Sequence, residues 1–343
     1  MFALLFTAAL STPWLLPAVA EAHGPVAPVA LDYLARVRSL PAGLEAKVVD
    51  GDQRMWLRAP RHETVVVLDY AGAPYVRFSR SGVEVNHNSA MWYLNQTPFA
   101  WKPPAGLSAG TPAKWVSVSG GHEYGWHEGR LHALATVALN PGASFVGTWR
   151  IPILVDGHSS AISGGLWHAS GPSIVWFWPV AVLLLCVVAA WRVRRPEVDR
   201  RIVCLLGVGA LAAILVAGFG RDLHGRPSVS VFQLVELAAI LAFVAWGSYR
   251  VGFRRPGAFT YFAIAVVALW EGLSLLPTLT NGFVLIALPA VAARTAAVLA
   301  LGTAAGLLLL MFRLYDQEDE SRADRPDLAA ESEGQDKNAW ELA

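Results

Sequence analysis

The chain has 343 residues, 55% of them hydrophobic and only 15% charged. A soluble globular domain carries about 25% charged residues, so the composition disfavours an ordinary cytosolic enzyme, and a formal net charge of +1 disfavours a nucleic-acid binder that relies on phosphate attraction. Both cysteines, Cys186 and Cys204, lie in apolar runs, which excludes a disulfide framework in the rest of the chain.

Residues 1–22 read as a secretory signal peptide. Phe2 to Leu16 is a short apolar stretch, and Ala20-Glu21-Ala22 is a small-residue cleavage pattern ahead of His23. No Lys or Arg precedes the apolar stretch, so an uncleaved anchor or an upstream start remain alternatives.

Residues 23–171 hold no spanning segment and read as an exported domain. Short runs alternate apolar and polar residues: Glu63–Tyr70, Pro74–Ser79, Lys114–Ser119 and Ser144–Val155. Turn clusters separate such runs, among them Asp50-Gly51-Asp52, Ser81-Gly82, Gly120-Gly121 and Asp156-Gly157. This pattern predicts an all-β, sandwich-like domain.

Within it, Trp126, Glu128, Arg130 and His132 recur at every second position. On a strand they line one face, with His127 on the other. Such a row reads either as a polar ladder that fixes strand register or as a site for an anion or a metal, and Gly129 stands where it interrupts a strand.

Cleavage after Ala22 makes His23 the N-terminal residue, and an amino-terminal His chelates Cu(II) through its α-amine and imidazole. Copper favours nitrogen donors, so His23 with His87 and His127 forms a candidate copper site. The remaining histidines match no tight ligand spacing.

Three segments carry a resemblance. They are Val65–Ser89 (VVVLDYAGAPYVRFSRSGVEVNHNS), Met91–Asn95 (MWYLN) and Trp126–His132 (WHEGRLH). The chain resembles a group of actinobacterial membrane proteins of unassigned function. Their pattern near the third segment is W-H-D-x-R-x-H, and this chain has Glu128 in place of the Asp. The resemblance covers residues 25–180 well and the later segments more loosely. It implies an exported β-domain followed by several transmembrane helices, and it brings no activity with it.

Five apolar runs follow, at 173–191, 202–220, 229–248, 258–277 and 291–312. Each is close to the ~20 residues a helix needs to cross the bilayer, so residues 172–313 read as a five-helix transmembrane bundle. The stretch 283–288 is too short to cross and reads as an outer half-helix or a kinked extension of the fifth helix. Arginines cluster between the first two runs (Arg192, Arg194, Arg195, Arg200, Arg201), between the third and fourth (Arg250, Arg254, Arg255), and after the fifth (Arg313). Positive ends face the cytoplasm, which puts residues 23–171 outside, in agreement with the signal peptide. Residues 314–343 read as an acidic, disordered cytoplasmic tail.

Glu236, Glu271 and Arg294 fall inside the apolar runs, toward their outer ends. Intramembrane charges pair or line a cavity, so a Glu271–Arg294 pair is expected, with Glu236 beside it and His224 above. The cluster reads as a structural lock or as an outward-facing ion, proton or ligand site.

No P-loop, dinucleotide fingerprint, nucleophile elbow or HExxH is present, which weighs against an enzyme. The expected function is therefore a cell-envelope membrane protein whose exported domain binds or scaffolds a partner or ligand. Copper handling and a small transporter with an outward-facing acidic site are the alternatives.

Overall fold

A computed structural model describes residues 28–96, 100–133, 144–193, 196–225, 228–254 and 257–323. The expected signal peptide, His23 and the end of the acidic tail lie outside these residues. Two units divide the chain: Tyr33–His168 forms most of one, and Val29–Asp32 joins the segment from Ala169 onward in the other.

The first unit is built of strands, as the alternating runs predict, arranged in more than one sheet and not as a closed barrel. They are β2 (Tyr33–Ser39), β3 (Glu45–Val49), β4 (Arg54–Arg58), β5 (Val65–Leu68), β6 (Pro74–Ser79), β7 (Gly82–Asn86), β8 (Trp115–Ser119), β9 (Glu123–His127), β10 (Phe145–Val155) and β11 (His158–His168). A single helical turn, α1 (Ala90–Leu94), follows β7, and Ser89 caps it by accepting from the Met91 N–H. Seven strands pair in the order β2-β11-β10-β5-β6-β7-β8, and three in the order β3-β4-β9.

Alternation decides which side chains enter the core. Along β10, Trp149, Ile151 and Ile153 are buried while Thr148 and Arg150 face out. Both sheets contribute to one cluster: Met55 and Leu57 from β4 and Trp126 from β9 join Val65, Val67, Tyr75, Phe78, Ile151, Ile162 and Leu166. The β10–β11 hairpin closes through Asp156 and Gly157, at φ 49° and 81°. That left-handed pair matches the right-handed twist of the flanking strands.

Two adjacent glycines in β11 let aromatic rings lie flat on opposite faces of the sheet. On the core side, a Cβ on Gly164 would collide with the Arg36 carbonyl oxygen and the Trp149 indole. On the outer side, a Cβ on Gly165 would meet Trp167 at 2.7 Å and Phe145 at 2.9 Å. Gly164→Ala is therefore expected to destabilise the domain by about 2–3 kcal/mol or more, the range of core overpacking with backbone shift. Gly165→Ala, whose neighbours are partly exposed rings free to swing out, is expected to cost less. Thermal unfolding of the two variants checks the order, and equal losses would contradict it.

The second unit is helical: α2 (Trp178–Val193), α3 (Pro196–Asp222), α4 (Val231–Phe253), α5 (Ala258–Ser274) and α6 (Ala290–Ala323). Four spans among the described residues are long and apolar enough to cross a membrane: Ile174–Arg192, Val198–Asp222, Val231–Phe253 and Ala290–Met311. The fifth expected span is shorter than the apolar run suggests. Helix α5 ends at Ser274, since Pro277 has no N–H to donate to the Leu273 carbonyl, and a 3-10 turn, Leu276–Leu279, takes over. Its 17 residues reach about 25 Å. At the other end of the unit, α6 continues past Arg313 to Ala323.

Outward-facing residues on these helices are large and apolar: Leu185 is 68% exposed, Val235 61% and Trp270 68%. Helices with such faces are at home in hydrocarbon. Inside the bundle, small residues bring the backbones close, as expected where no hydrophobic force drives helices together. Ala293, Ala296, Ala297, Ala300 and Ala304 of α6 are buried, and a Cβ on Gly306 would come within 2.8 Å of Leu206.

The stretch at 283–288 is not a half-helix. Phe283–Val284 is a short strand, β12, that pairs antiparallel with β1 (Ala30–Leu31). The Asp32 carboxylate accepts the Gly282 N–H at 3.1 Å beside it.

Candidate functional site

The alternating row in the β unit gathers three of its four members, though not as a strand ladder. Strand β9 ends at His127, and Gly129–Leu131 folds as a 3-10 turn that Glu128 caps by accepting from the Arg130 N–H. Glu128 is completely buried. Its Oε1 accepts from Arg130 Nε at 2.7 Å, and its Oε2 accepts from Arg130 Nη2 at 2.7 Å and from Trp126 Nε1 at 2.9 Å. The guanidinium also donates to the Leu68 carbonyl at 3.1 Å and lies 5.1 Å from the Tyr70 ring centroid. The Tyr70 hydroxyl accepts the Gly129 N–H at 2.8 Å. Burial first, and the Glu128 charge second, push this phenol up to about 12.

Each Glu128 oxygen is thus spent on protein donors. The knot holds the end of β9 against β5 and α1, and it presents no open position for a metal or an anion.

His132 leaves the row because the turn rotates it away. Its Nδ1 lies 3.2 Å from the Asp52 carbonyl oxygen, and its ring centroid lies 5.3 Å from that of His127. His87 sits elsewhere, stacked on Trp92 at 4.2 Å, with its pKa lowered by burial and by the nearby Lys114. Among the described residues no group of three or more His, Cys, Asp or Glu side chains is arranged to hold a metal ion.

Burial also raises the pKa of Asp52, against the Gln53 hydrogen bond and the His132 charge that lower it. A carboxyl raised in the folded state binds its proton more tightly there than in the unfolded chain. Stability then falls as pH rises from the unfolded value, 3.8, through the folded one. Asp52→Asn is expected to flatten that segment of the stability profile and to be no less stable than the parent at pH 7. A steeper profile in the variant would reverse the assignment.

An aromatic group at the surface of the same unit was not singled out by the spacing of residues. Trp92 of α1 packs against the core and meets His87, Tyr93 at 4.7 Å and Trp101 at 5.7 Å, the last two edge to face. Trp101 is 52% exposed, and its backbone N–H donates to the Tyr93 carbonyl at 2.8 Å. The signal available in the sequence was the density of aromatic residues between His87 and Trp101.

In the helical unit the expected charges do cluster, around a different cation. Arg221, in the last turn of α3, donates from Nε to Asp222 at 3.0 Å, from Nη1 to Glu271 of α5 at 3.0 Å and from Nη2 to Glu236 of α4 at 2.7 Å. One guanidinium therefore ties three helices and faces three carboxylates. The expected Glu271–Arg294 pair does not form. Arg294 instead donates from Nε to the Thr278 carbonyl at 3.0 Å and from Nη2 toward the Asn281 and Gly282 carbonyls. These oxygens belong to the segment that leaves α5 and becomes extended, where no helix supplies donors. His224 follows α3, and its carbonyl accepts from Gln233 Nε2 at 2.9 Å.

No family model, no curated protein and no solved structure matches this chain.

Proposed function

We infer that the chain is a multi-pass membrane protein of the cell envelope. Its sandwich-like β domain stands outside the cell and binds or scaffolds an extracytoplasmic partner. The observation that carries this reading is the Trp92–Trp101 group. A half-exposed Trp101 set edge to face on Trp92, which itself stacks on His87 and meets Tyr93, on a domain whose core is already filled by other residues, is the composition of an interaction hot spot. The test places a photo-reactive amino acid at Trp101 of the full chain in living cells. An adduct that forms there, and not from the exposed Val118 position, supports the reading. Adducts from both or from neither would defeat it. Location is checked separately: a cysteine at Ser159, in the exposed β10–β11 hairpin, must react with a membrane-impermeant maleimide on intact cells.

The Arg221 cluster favours a second reading, a small transporter with an outward-facing acidic site. Three carboxylates against one guanidinium leave excess negative charge, and Glu236 is the most open of them, its side chain 39% exposed. Glu236→Gln should then abolish cation flux in reconstituted vesicles while leaving folding intact, because an exposed pair contributes only about 0–1 kcal/mol. Unchanged flux would remove this reading. A copper site of His23, His87 and His127 has no such observation behind it, since His23 lies outside the described residues.

A further inference from the structure

The outer face of β2, β11 and β10 carries a patch that neither the core nor the Trp101 group uses. These three strands contain no Asp or Glu, and their only Lys or Arg residues are Arg36, Arg38 and Arg150. Strand pairing puts the residues on one side of the sheet. Arg36 is opposite Gly165, Thr148 is opposite Gly165 from the other flank, Arg150 is opposite Ser163, and Phe145 is opposite Trp167.

Arg38, two residues on from Arg36 and left unpaired by a bulge between Val37 and Ser39, lies with its guanidinium 4.8 Å from the Trp167 ring and 5.3 Å from the Phe145 ring. Arg36 lies 5.8 Å from Trp167. Gly165 is what permits this, because the two rings lie across it.

Arg36, Arg38 and Arg150 are all exposed. Among the described residues no carboxylate comes within salt-bridge distance of any of them, whereas Arg58, Arg77, Arg130 and Arg221 each hold one. Exposed arginines held over aromatic rings and left without a counter-charge suit an anion at a greasy boundary. The ring faces take the apolar side, and each guanidinium offers paired N–H donors to phosphate oxygens. Trp beside Arg is also the residue pair that gathers at the headgroup level of membranes. The chain supplies the remaining constraint: Trp167 precedes Ile174, where the first apolar span starts, by seven residues, which reach no further than about 25 Å.

We propose that this face, Arg36, Arg38 and Arg150 around Trp167 and Phe145, binds the phosphate headgroups of anionic phospholipids in the membrane that carries the chain. It is separate from the proposed partner surface at Trp101 and does not depend on it.

The test uses the full chain with Cys186→Ala and Cys204→Ala, reconstituted into nanodiscs of phosphatidylcholine alone or with phosphatidylglycerol. A fluorophore on Thr148→Cys reports contact with headgroup-attached quenchers, and one on Val118→Cys, in β8 at the opposite edge of the sheet, serves as control. Quenching at Thr148→Cys is expected to rise with phosphatidylglycerol and to fall with added salt, with little change at Val118→Cys. The triple substitution R36Q/R38Q/R150Q should lose most of that rise, whereas R61Q/R80Q, which removes two exposed arginines outside the patch, should retain it.

Equal quenching in the two lipid mixtures overturns the proposal, as does equal quenching at the two positions or a rise that survives the triple substitution. Sodium polyphosphate added to phosphatidylcholine discs supplies the remaining arm. A fluorophore response to polyphosphate without any response to phosphatidylglycerol would overturn the lipid assignment in favour of a soluble polyanion.

Discussion

Replacing Arg221 by leucine is expected to lower the unfolding free energy by about 3–5 kcal/mol, the usual cost of removing one partner of a buried ion pair. The guanidinium is the shared donor to Asp222, Glu236 and Glu271, and the side chains of Asp222 and Glu271 are almost fully covered. Without it, three acidic groups from three helices remain close together at low dielectric with no cation among them. Thermal unfolding of the purified full chain in detergent measures the loss. Adding Glu271→Gln to Arg221→Leu should recover a good part of it, because the second change removes a carboxylate that the first left stranded, and such coupling is what a double-mutant cycle detects. If Arg221→Leu melts where the parent does, the three helices are held by apolar packing alone and the cluster is not a lock.

Glu128→Ala is the second large effect, of similar size, about 3–5 kcal/mol, and confined to the β unit. The substitution strands the Arg130 guanidinium, whose side chain is 17% exposed, and leaves the indole N–H of the fully buried Trp126 without its acceptor. Arg130→Met tests the other side of the pair, leaving a buried carboxylate with only the Trp126 donor and the Arg130-position N–H. Glu128→Ala combined with Arg130→Met should be less damaging than the sum of the two single changes. Full additivity would mean that the contact seen between them contributes nothing to stability. The Tyr70 phenol offers a local readout, since its elevated pKa owes part of its rise to the Glu128 charge. Its titration should move down toward the ordinary tyrosine value in Glu128→Ala.

The strands were legible because period-two alternation is written residue by residue: Pro74–Ser79 matches its expected bounds, and β10 starts one residue after the run that announced it. The apolar helices were legible from length alone. What sequence reasoning missed was set by where helices stop. The expected run at 202–220 ended before Arg221, whereas α3 continues through Asp222, and those two extra residues deliver the guanidinium to Glu236 and Glu271. In turn Arg294, the partner assigned by depth, is taken by the Thr278, Asn281 and Gly282 carbonyls, backbone acceptors past the end of the apolar run that a count of side-chain charges does not weigh. The row from Trp126 to His132 failed as a ladder for a comparable reason. Gly129 marks the interruption in the sequence, but not its outcome: the turn there converts a face-sharing row into a buried knot that ejects His132. Pairing between Arg36 and Gly165, or between Ala30 and Val284, leaves no local trace at all, because register across distant strands is a property of the folded sheet.

The pairing of Ala30–Leu31 with Phe283–Val284 also sets a schedule for biogenesis. Asp32 and Gly282 are joined across 250 positions, so the ribosome must make the four helices α2 to α5 before the early segment can find its mate. At about 5–20 residues per second that is a wait of roughly 12–50 s, during which Val29–Asp32 has no strand to dock on. A stop codon placed shortly before Phe283 would leave that segment permanently single, and the nascent product would be a natural target for quality-control proteases even though every earlier helix had been completed.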